Sequence, residues 1–168
     1  SYGYLAGTFV RDKDAVIASM LICEMAAYYH SRGMTLYEGL LSLWEKYGYF
    51  EESIKSVQMN GKEGMEQIKA LMDKLRHSKI KEIGGFEVVR IEDYLESTAY
   101  DMESGKKEKL SLPVSNVIKF ILKDGSWFCV RPSGTEPKVK FYISAIGRSH
   151  QEAAEKKKML MNGVSALV

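Results

Sequence analysis

The sequence is poor in the features that mark membrane, extracellular and nucleic-acid-binding proteins. It has only two cysteines in 168 residues, both inside apolar runs, which favours buried reduced thiols over a disulfide framework. No signal peptide opens the chain, and no apolar run reaches the roughly twenty residues that a membrane helix needs. With 24 basic and 22 acidic residues, the net charge of +2 gives no general attraction to nucleic acid or anionic membranes. We therefore expect a cytoplasmic globular protein in which any anion binding is local.

Residues for metal binding and catalysis are also sparse. The histidines His30, His77 and His150 lie far apart, and none has a Cys, His or acidic partner at ligand spacing. Asp12 and Asp14 could suggest a pair of metal ligands, but acidic residues directly before a helix commonly cap its N–H groups. No histidine is placed to activate a serine nucleophile. The sequence therefore predicts neither a metal site nor a catalytic residue in this chain.

One polar octapeptide between two predicted strands, RPSGTEPK, has the composition of an anion-binding loop. Arg131 offers a fork of donors that suits phosphate oxygens, and Ser133 and Thr135 add hydroxyls. Gly134 allows the backbone to approach a ligand with its N–H groups turned inward, and Lys138 adds a positive charge. The glycine spacing of a Walker loop is absent. The alternative is an ordinary strand connection that needs glycine and proline only for its geometry.

The first part of the chain has the pattern of two helices. An acidic cap, Asp12 or Asp14, precedes a helix that is apolar on nearly every side and ends near Gly33. Thr35 and Glu38 form the pattern of a capping box at the start of the second helix, which is expected to end at Gly48. We place a domain boundary near residues 47–50.

The second part has the pattern of an antiparallel sheet with helices on one face, an α+β fold. The predicted elements are a strand at 49–58, a helix at 60–76, a strand at 86–91, a hairpin at 117–122 and 127–130, a strand at 139–144 and a helix from Ser149. Residues 92–111 are predicted to form a long surface loop. A nucleic-acid patch is the less favoured interpretation of this segment, because acidic residues are interleaved with its lysines.

The octapeptide and the following Val139–Tyr142 resemble the phosphate-binding signature of the α-D-phosphohexomutases, the phosphoglucomutase and phosphomannomutase superfamily. The similarity is strongest at residues 1–18 and 113–145, and the segments SYGYL and RDKDAV resemble the longer phosphoglucomutase and phosphopentomutase subgroup. The resemblance implies a C-terminal, TATA-binding-protein-like domain at residues 49–168. It also implies that residues 1–48 are a helical remnant of the preceding α/β sugar-binding domain.

The resemblance also implies roles for individual residues. Arg131, Ser133, Gly134 and Thr135 correspond to the residues that hold the phosphate that is not reacting. Ser1 corresponds to the third residue of an acidic-acidic-Ser sugar-binding loop whose two acidic residues are missing from this sequence. Arg11 and Lys13 are further candidates for contact with substrate phosphate.

In that family, a phosphoserine and Mg²⁺ in earlier domains transfer phosphate within a sugar phosphate. The chain opens at Ser1 without an initiator Met, so we expect a piece of a longer enzyme whose partners are its N-terminal domains and a sugar phosphate. The piece alone is predicted to lack mutase activity, and the sugar is left open. Two alternatives are a free-standing sugar-phosphate-binding module and, less favoured, a nucleic-acid-binding module.

Overall fold

The computed structural model describes residues 5–9, 12–59 and 61–168 of the chain. The chain divides into two compact units, Ser1–Tyr47 and Gly48–Val168. Two candidate contacts, Ser1 and Arg11, and Asn60, the first residue of the helix predicted at 60–76, lie outside the described residues. Within the described part of the chain, no helix combines the length and apolar character required to cross a membrane.

The described residues of the first unit form two helices, α1 (Ala15–His30) and α2 (Leu36–Tyr47). Asp14 caps α1, because its carboxylate accepts hydrogen bonds from two backbone N–H groups of the first turn at 2.8 and 3.4 Å. The predicted capping box of α2 is present. The Glu38 N–H donates to Thr35 Oγ1 at 3.2 Å, and the Glu38 carboxylate accepts from the Thr35 N–H at 2.6 Å.

Helix α1 contains no buried residue, although most of its residues are apolar. A helix that is apolar on all sides can bury only one side against a single neighbouring helix. The prediction that both cysteines are buried is therefore wrong for Cys23, which is exposed on α1. Cys129 is half-buried, and neither thiol forms a disulfide.

In the second unit, residues 48–59 and 61–168 form two helices and eight strands. They are β1 (Tyr49–Gln58), α3 (Gly61–His77), β2 (Glu82–Ile83), β3 (Phe86–Asp93), β4 (Thr98–Asp101), β5 (Lys107–Lys109), β6 (Ile118–Leu122), β7 (Trp127–Pro132), β8 (Lys138–Gly147) and α4 (His150–Ser165). The strands form one antiparallel sheet in the order β1-β8-β7-β6-β3-β4-β5, with β2 pairing to β3.

The predicted hairpin is formed by β6 and β7, and Asp124 and Gly125 make its turn. Gly125 has a φ of +89°, a conformation that favours glycine. The Asp124 side chain accepts a hydrogen bond from the Ser126 N–H at 3.0 Å, which closes the turn.

The core lies on one face of the sheet, beneath α3 and α4. Val139, Phe141 and Ile143 point to this face and are at most 1% exposed, while the alternating Lys140 and Tyr142 are half-buried on the other face. Apolar residues of α3 and α4, including Leu75 and Leu160, join the same core. The α+β class with helices on one face is therefore confirmed, and no helix of this unit covers the second face of the sheet among the residues that the structure describes.

The prediction that residues 92–111 form a loop is wrong. The segment contains the end of β3 and the strands β4 and β5, which extend the sheet beyond β3. Its turn is closed by Asp101, whose carboxylate accepts the Ser104 N–H at 2.7 Å, and by Gly105 with a φ of +71°. Only Ala99 is fully buried in β4, so these strands lack the apolar alternation from which strands are predicted.

Candidate phosphate-binding site

The octapeptide Arg131–Lys138, here called the anion loop, connects the ends of β7 and β8. Arg131 pairs with Lys140 and Pro132 pairs with Val139 across the two strands. The Ser133 N–H donates to the Lys138 carbonyl at 2.8 Å, which closes the base of the loop. The Pro137 carbonyl accepts the Met59 N–H at 2.9 Å. The sheet therefore fixes the loop at both ends.

The five residues predicted for the phosphate site line one concavity of about 290 Å³. The same concavity is lined by Pro132 and by three residues that were not predicted for the site, Glu136, Lys140 and Tyr142. Three cations and one carboxylate therefore surround the space.

Arg131 is the exposed cation at the entrance to the anion loop. Its guanidinium forms no hydrogen bond or ion pair with any other residue in the described ranges. Lys140 lies directly opposite on β8, and residues paired in this way project from the same face of a sheet. Two positive side chains are thus held next to each other, and the five N–H donors of the guanidinium are available to a ligand.

Ser133 shapes the turn of the anion loop. Its Oγ accepts hydrogen bonds from the Thr135 N–H at 3.5 Å and from the Glu136 N–H at 3.3 Å. These two N–H groups are therefore engaged within the loop, although the bonds are long. The Ser133 hydroxyl proton and the Thr135 hydroxyl are the donors that these residues can offer to an anion.

Gly134 does not have a conformation that requires glycine, since its φ is not among the positive values. A Cβ placed on Gly134 would meet no atom within 4 Å. The fold therefore tolerates a side chain at this position. What glycine provides is open space and an uncovered backbone on the wall of the concavity.

Lys138 forms an ion pair with Glu136 across the end of the loop. The hydrogen bond from the Lys138 ammonium lowers the pKa of the Glu136 carboxyl, and the nearby charge of Lys140 lowers it further. Glu136 is therefore ionised at neutral pH and neutralises part of the positive charge in the concavity.

Lys140 and Tyr142 could have been found from the sequence. They alternate with the buried residues of β8, so they share a face with each other and with Arg131, the partner of Lys140. Cys129 is the cross-strand partner of Tyr142, and burial raises the pKa of its thiol. Burial therefore disfavours the thiolate of Cys129, which is the form of a cysteine that acts as a nucleophile.

Three further contacts were predicted, at Ser1, Arg11 and Lys13. Lys13 belongs to the first unit, where its ammonium pairs with Asp12 at 2.7 Å. Ser1 and Arg11 lie outside the described residues. Across residues 5–9, 12–59 and 61–168, no three His, Cys, Asp or Glu side chains come together in a way that could hold a metal ion.

Comparison with known proteins identifies the family. The sequence model described as "Phosphoglucomutase/phosphomannomutase, C-terminal domain" matches residues 55–162. A phosphoglucomutase of Staphylococcus haemolyticus (strain JCSC1435) is 42% identical over 144 residues, which cover 86% of this chain and 26% of the relative. A phosphoglucomutase of Staphylococcus aureus (strain bovine RF122 / ET3-1) is 38% identical over 156 residues, which cover 93% of this chain and 28% of the relative.

A solved structure shows the same fold. The open form of parafusin, an exocytosis-sensitive phosphoprotein and phosphoglucomutase from Paramecium, superposes with a TM-score of 0.56 at 16% identity, covering 95% of this chain and 28% of that protein. The chain thus spans about a quarter of the length of the proteins that it matches. Both the match to the C-terminal domain and the sequence identity place the chain in the phosphoglucomutase/phosphomannomutase family.

Proposed function

We propose that the anion loop binds the non-reacting phosphate of a sugar phosphate, and that the chain is the C-terminal part of a phosphoglucomutase-like isomerase. Residues 1–48 are then the end of its third, sugar-binding domain, and residues 49–168 are its fourth domain. Family membership supports this proposal, as do the names of the relatives, whose length is about four times that of the matching segment.

The observation that carries the proposal is the guanidinium of Arg131, which has no partner of its own among the described residues and lies beside Lys140. A guanidinium can donate two parallel hydrogen bonds to a phosphate, which fixes both the position and the orientation of the anion. Lys140 adds a second positive charge, and the hydroxyls of Ser133 and Thr135 supply neutral donors. These groups suit the three terminal oxygens of a phosphomonoester.

The role of such a site is positioning. The parent isomerase moves a phosphate between two ends of a sugar, for example from the 1- to the 6-position, and an anchored second phosphate places the accepting hydroxyl for that transfer. The described residues do not have the donor set of a Mg²⁺ site. We therefore propose that the Mg²⁺ and the nucleophilic serine belong to the N-terminal domains, and that this chain alone is inactive. Turnover of glucose 1-phosphate by the pure chain would contradict that expectation.

The cysteines and the net charge bear on the cellular compartment and on the two alternative functions. The two unpaired cysteines fit the reducing conditions of the cytoplasm. A free-standing sugar-phosphate-binding module would need only the anion loop, and it differs from the main proposal in having no other domains to complete it. A nucleic-acid-binding module is opposed by the net charge of +2.

The test is a titration of the chain with glucose 6-phosphate, followed by NMR amide shifts. A single phosphate contact site is expected to bind with a Kd of about 1 mM, and the shifts should be centred on Ser133, Gly134 and Thr135. Arg131→Ala should weaken binding at least about tenfold, because it removes charged hydrogen bonds. Arg148→Ala is the matched control, since Arg148 is exposed just beyond the opposite end of β8.

The proposal fails if the shifts survive Arg131→Ala or appear away from the anion loop. Glucose serves as the uncharged control ligand, and binding of glucose at the same concentration would show that the phosphate is not what the loop recognises. A salt-sensitive complex with DNA at low micromolar protein would instead favour the nucleic-acid alternative.

A further inference from the structure

A second concavity lies on the face of the sheet that the helices cover. Lys140 and Tyr142, beside the anion loop, project from the other face. The second concavity has a volume of about 330 Å³ and lies where the end of α3 meets β3, β4 and β5. Ile91, in its wall, pairs with the buried Phe120 and therefore projects to the face that the helices cover. The two concavities are therefore separate.

An ion pair between Arg76 and Asp93 forms the floor of this second concavity. The Arg76 Nε donates to the Asp93 carboxylate at 2.7 Å, and the two side chains are only 10% and 11% exposed. Arg76 also donates to the side chain of Asn116 at 3.0 Å. The second oxygen of Asp93 accepts backbone N–H groups at 2.9 and 3.3 Å. Both charged groups already have hydrogen-bond partners, so this ion pair is held in place and is not expected to attract a ligand.

Two lysines next to Tyr100, Lys79 and Lys107, supply the positive charge. The Lys79 ammonium donates to the Tyr100 hydroxyl at 3.0 Å and lies 4.4 Å from the centre of its ring. Lys107 is the cross-strand partner of Tyr100, so it projects from the same face of the sheet. Neither ammonium has a carboxylate within ion-pair distance in the described part of the chain.

Of the other polar residues that line the concavity, one, Glu96, has a carboxylate that can compensate the positive charge of the two lysines. Asp93 is engaged by Arg76, and Glu96 is an exposed residue. The Nδ1 of His77 lies 2.7 Å from the carbonyl oxygen of Asp73 and donates to it, which leaves Nε2 free as an acceptor when the ring is neutral. The hydroxyl of Thr98 adds a neutral donor on β4.

We propose that this concavity is a second binding site, which takes a small organic anion independently of the anion loop. Its phosphate or carboxylate group lies between Lys79 and Lys107, and a flat apolar body lies against Ile91 and the part of the Tyr100 ring that the Lys79 ammonium does not cover. The volume is within the lower range of small-molecule sites, and an apolar wall with a few convergent polar groups is typical of such sites. Two ammonium groups without a carboxylate partner favour an anionic group, and the apolar wall beside them favours a body that is apolar.

The experiment uses the whole chain, with phenyl phosphate and benzoate as probes and benzyl alcohol as the uncharged control. Amide shifts at Thr98, Tyr100 and Lys107 are expected with both anions, and they should persist in Arg131→Ala. Lys79→Met and Lys107→Met should each weaken binding about fivefold, the upper value for an exposed charge contact. Lys106→Met is the matched control, because Lys106 is an adjacent exposed lysine that does not line the concavity.

Three results would overturn the proposal. Shifts that disappear in Arg131→Ala would mean that the probes bind only at the anion loop. Equal affinity of Lys79→Met, Lys107→Met and Lys106→Met would remove the lysines from the site. Binding of benzyl alcohol as tightly as phenyl phosphate would show that the charged group is not recognised. Because the readout residues and the variants differ from those of the anion loop, this proposal and the proposed function can fail separately.

Discussion

Glu136 and Lys138 form an ion pair at the end of the anion loop, inside a concavity whose other charged residues, Arg131 and Lys140, are cations. In the absence of a ligand, Lys138 is therefore engaged by a carboxylate from its own loop. A phosphate that approaches the loop has to compete with Glu136 for this ammonium, and it also meets the repulsion of the carboxylate.

Glu136→Gln is expected to tighten the binding of glucose 6-phosphate by up to about fivefold, the upper value for an exposed charge interaction. The gain should shrink as salt is raised, because the repulsion that is removed is screened. The measurement is a titration at two ionic strengths. Glu66→Gln, on an exposed position of α3, is the control for the change in net charge. Weaker binding by Glu136→Gln would mean that Glu136 acts by holding Lys138 in place for the ligand.

Gly134→Ala should separate binding from stability. The added methyl group would meet no protein atom within 4 Å, so the melting temperature is expected to stay within a degree or so of that of the unaltered chain. It would, however, occupy the wall of the concavity, and sugar-phosphate binding should weaken several-fold.

Gly163→Ala is the matched contrast to Gly134→Ala. A Cβ on Gly163, in α4, would lie 2.5 Å from the backbone N of Gly84, and that backbone has to move to make room. We expect a loss of about 1–3 kcal/mol in the free energy of unfolding, even though alanine has the higher helix propensity. If Gly134→Ala destabilises the protein as much as Gly163→Ala does, the space beside Gly134 is filled by other protein atoms.

The sequence predicted most of what forms through local rules or strong periodicity. The predicted hairpin, the capping box at Thr35 and the strand at 139–144 each depend on residues close together in the chain, and all three are present. The anion loop was found because its residues are contiguous. Their use in phosphate binding is still a prediction.

The elements that were missed depend on contacts that are distant in sequence or are made by the backbone. Strands β4 and β5 are held by main-chain pairing at the edge of the sheet, so their polar side chains gave no apolar period. The pair of Arg76 with Asp93 joins α3 to β3, and no local pattern marks it. The pairing of Glu136 with Lys138 depends on the turn between them, which brings two residues of the loop together.

Arg76→Met should destabilise the second unit strongly. It leaves the Asp93 carboxylate, whose side chain is 11% exposed, without its cationic partner, and the loss of one member of a buried pair costs about 3 kcal/mol. Urea unfolding followed by circular dichroism measures the change. Lys123→Met breaks the pair with Glu87, whose side chains are 72% and 59% exposed, and is expected to have no measurable effect. Similar losses in the two variants would mean that Asp93 is well hydrated.

Tyr94 gives the protein a specific sensitivity to high pH. Burial raises the pKa of its phenol to about 12, and its hydrogen bond to the Glu92 carboxylate, at 2.8 Å, acts in the same direction. The folded protein therefore holds this proton more tightly than the unfolded chain, whose tyrosines titrate near 10.0. The contribution of Tyr94 to stability is complete below about pH 10 and is lost as the pH rises through about 12.

Tyr94→Phe should therefore flatten part of the decline in the free energy of unfolding over that alkaline range. The first measurement is urea unfolding at a series of pH values. The second is the tyrosinate absorbance of the folded protein over the same pH range. The tyrosine that ionises at the highest pH should be missing from that titration in Tyr94→Phe. Tyr37→Phe, at a side chain that is 63% exposed on α2, is the control for loss of a tyrosine hydroxyl. An unchanged pH profile in Tyr94→Phe would show that the phenol ionises as readily in the folded as in the unfolded protein, because the linkage between proton binding and stability requires the two pKa values to differ.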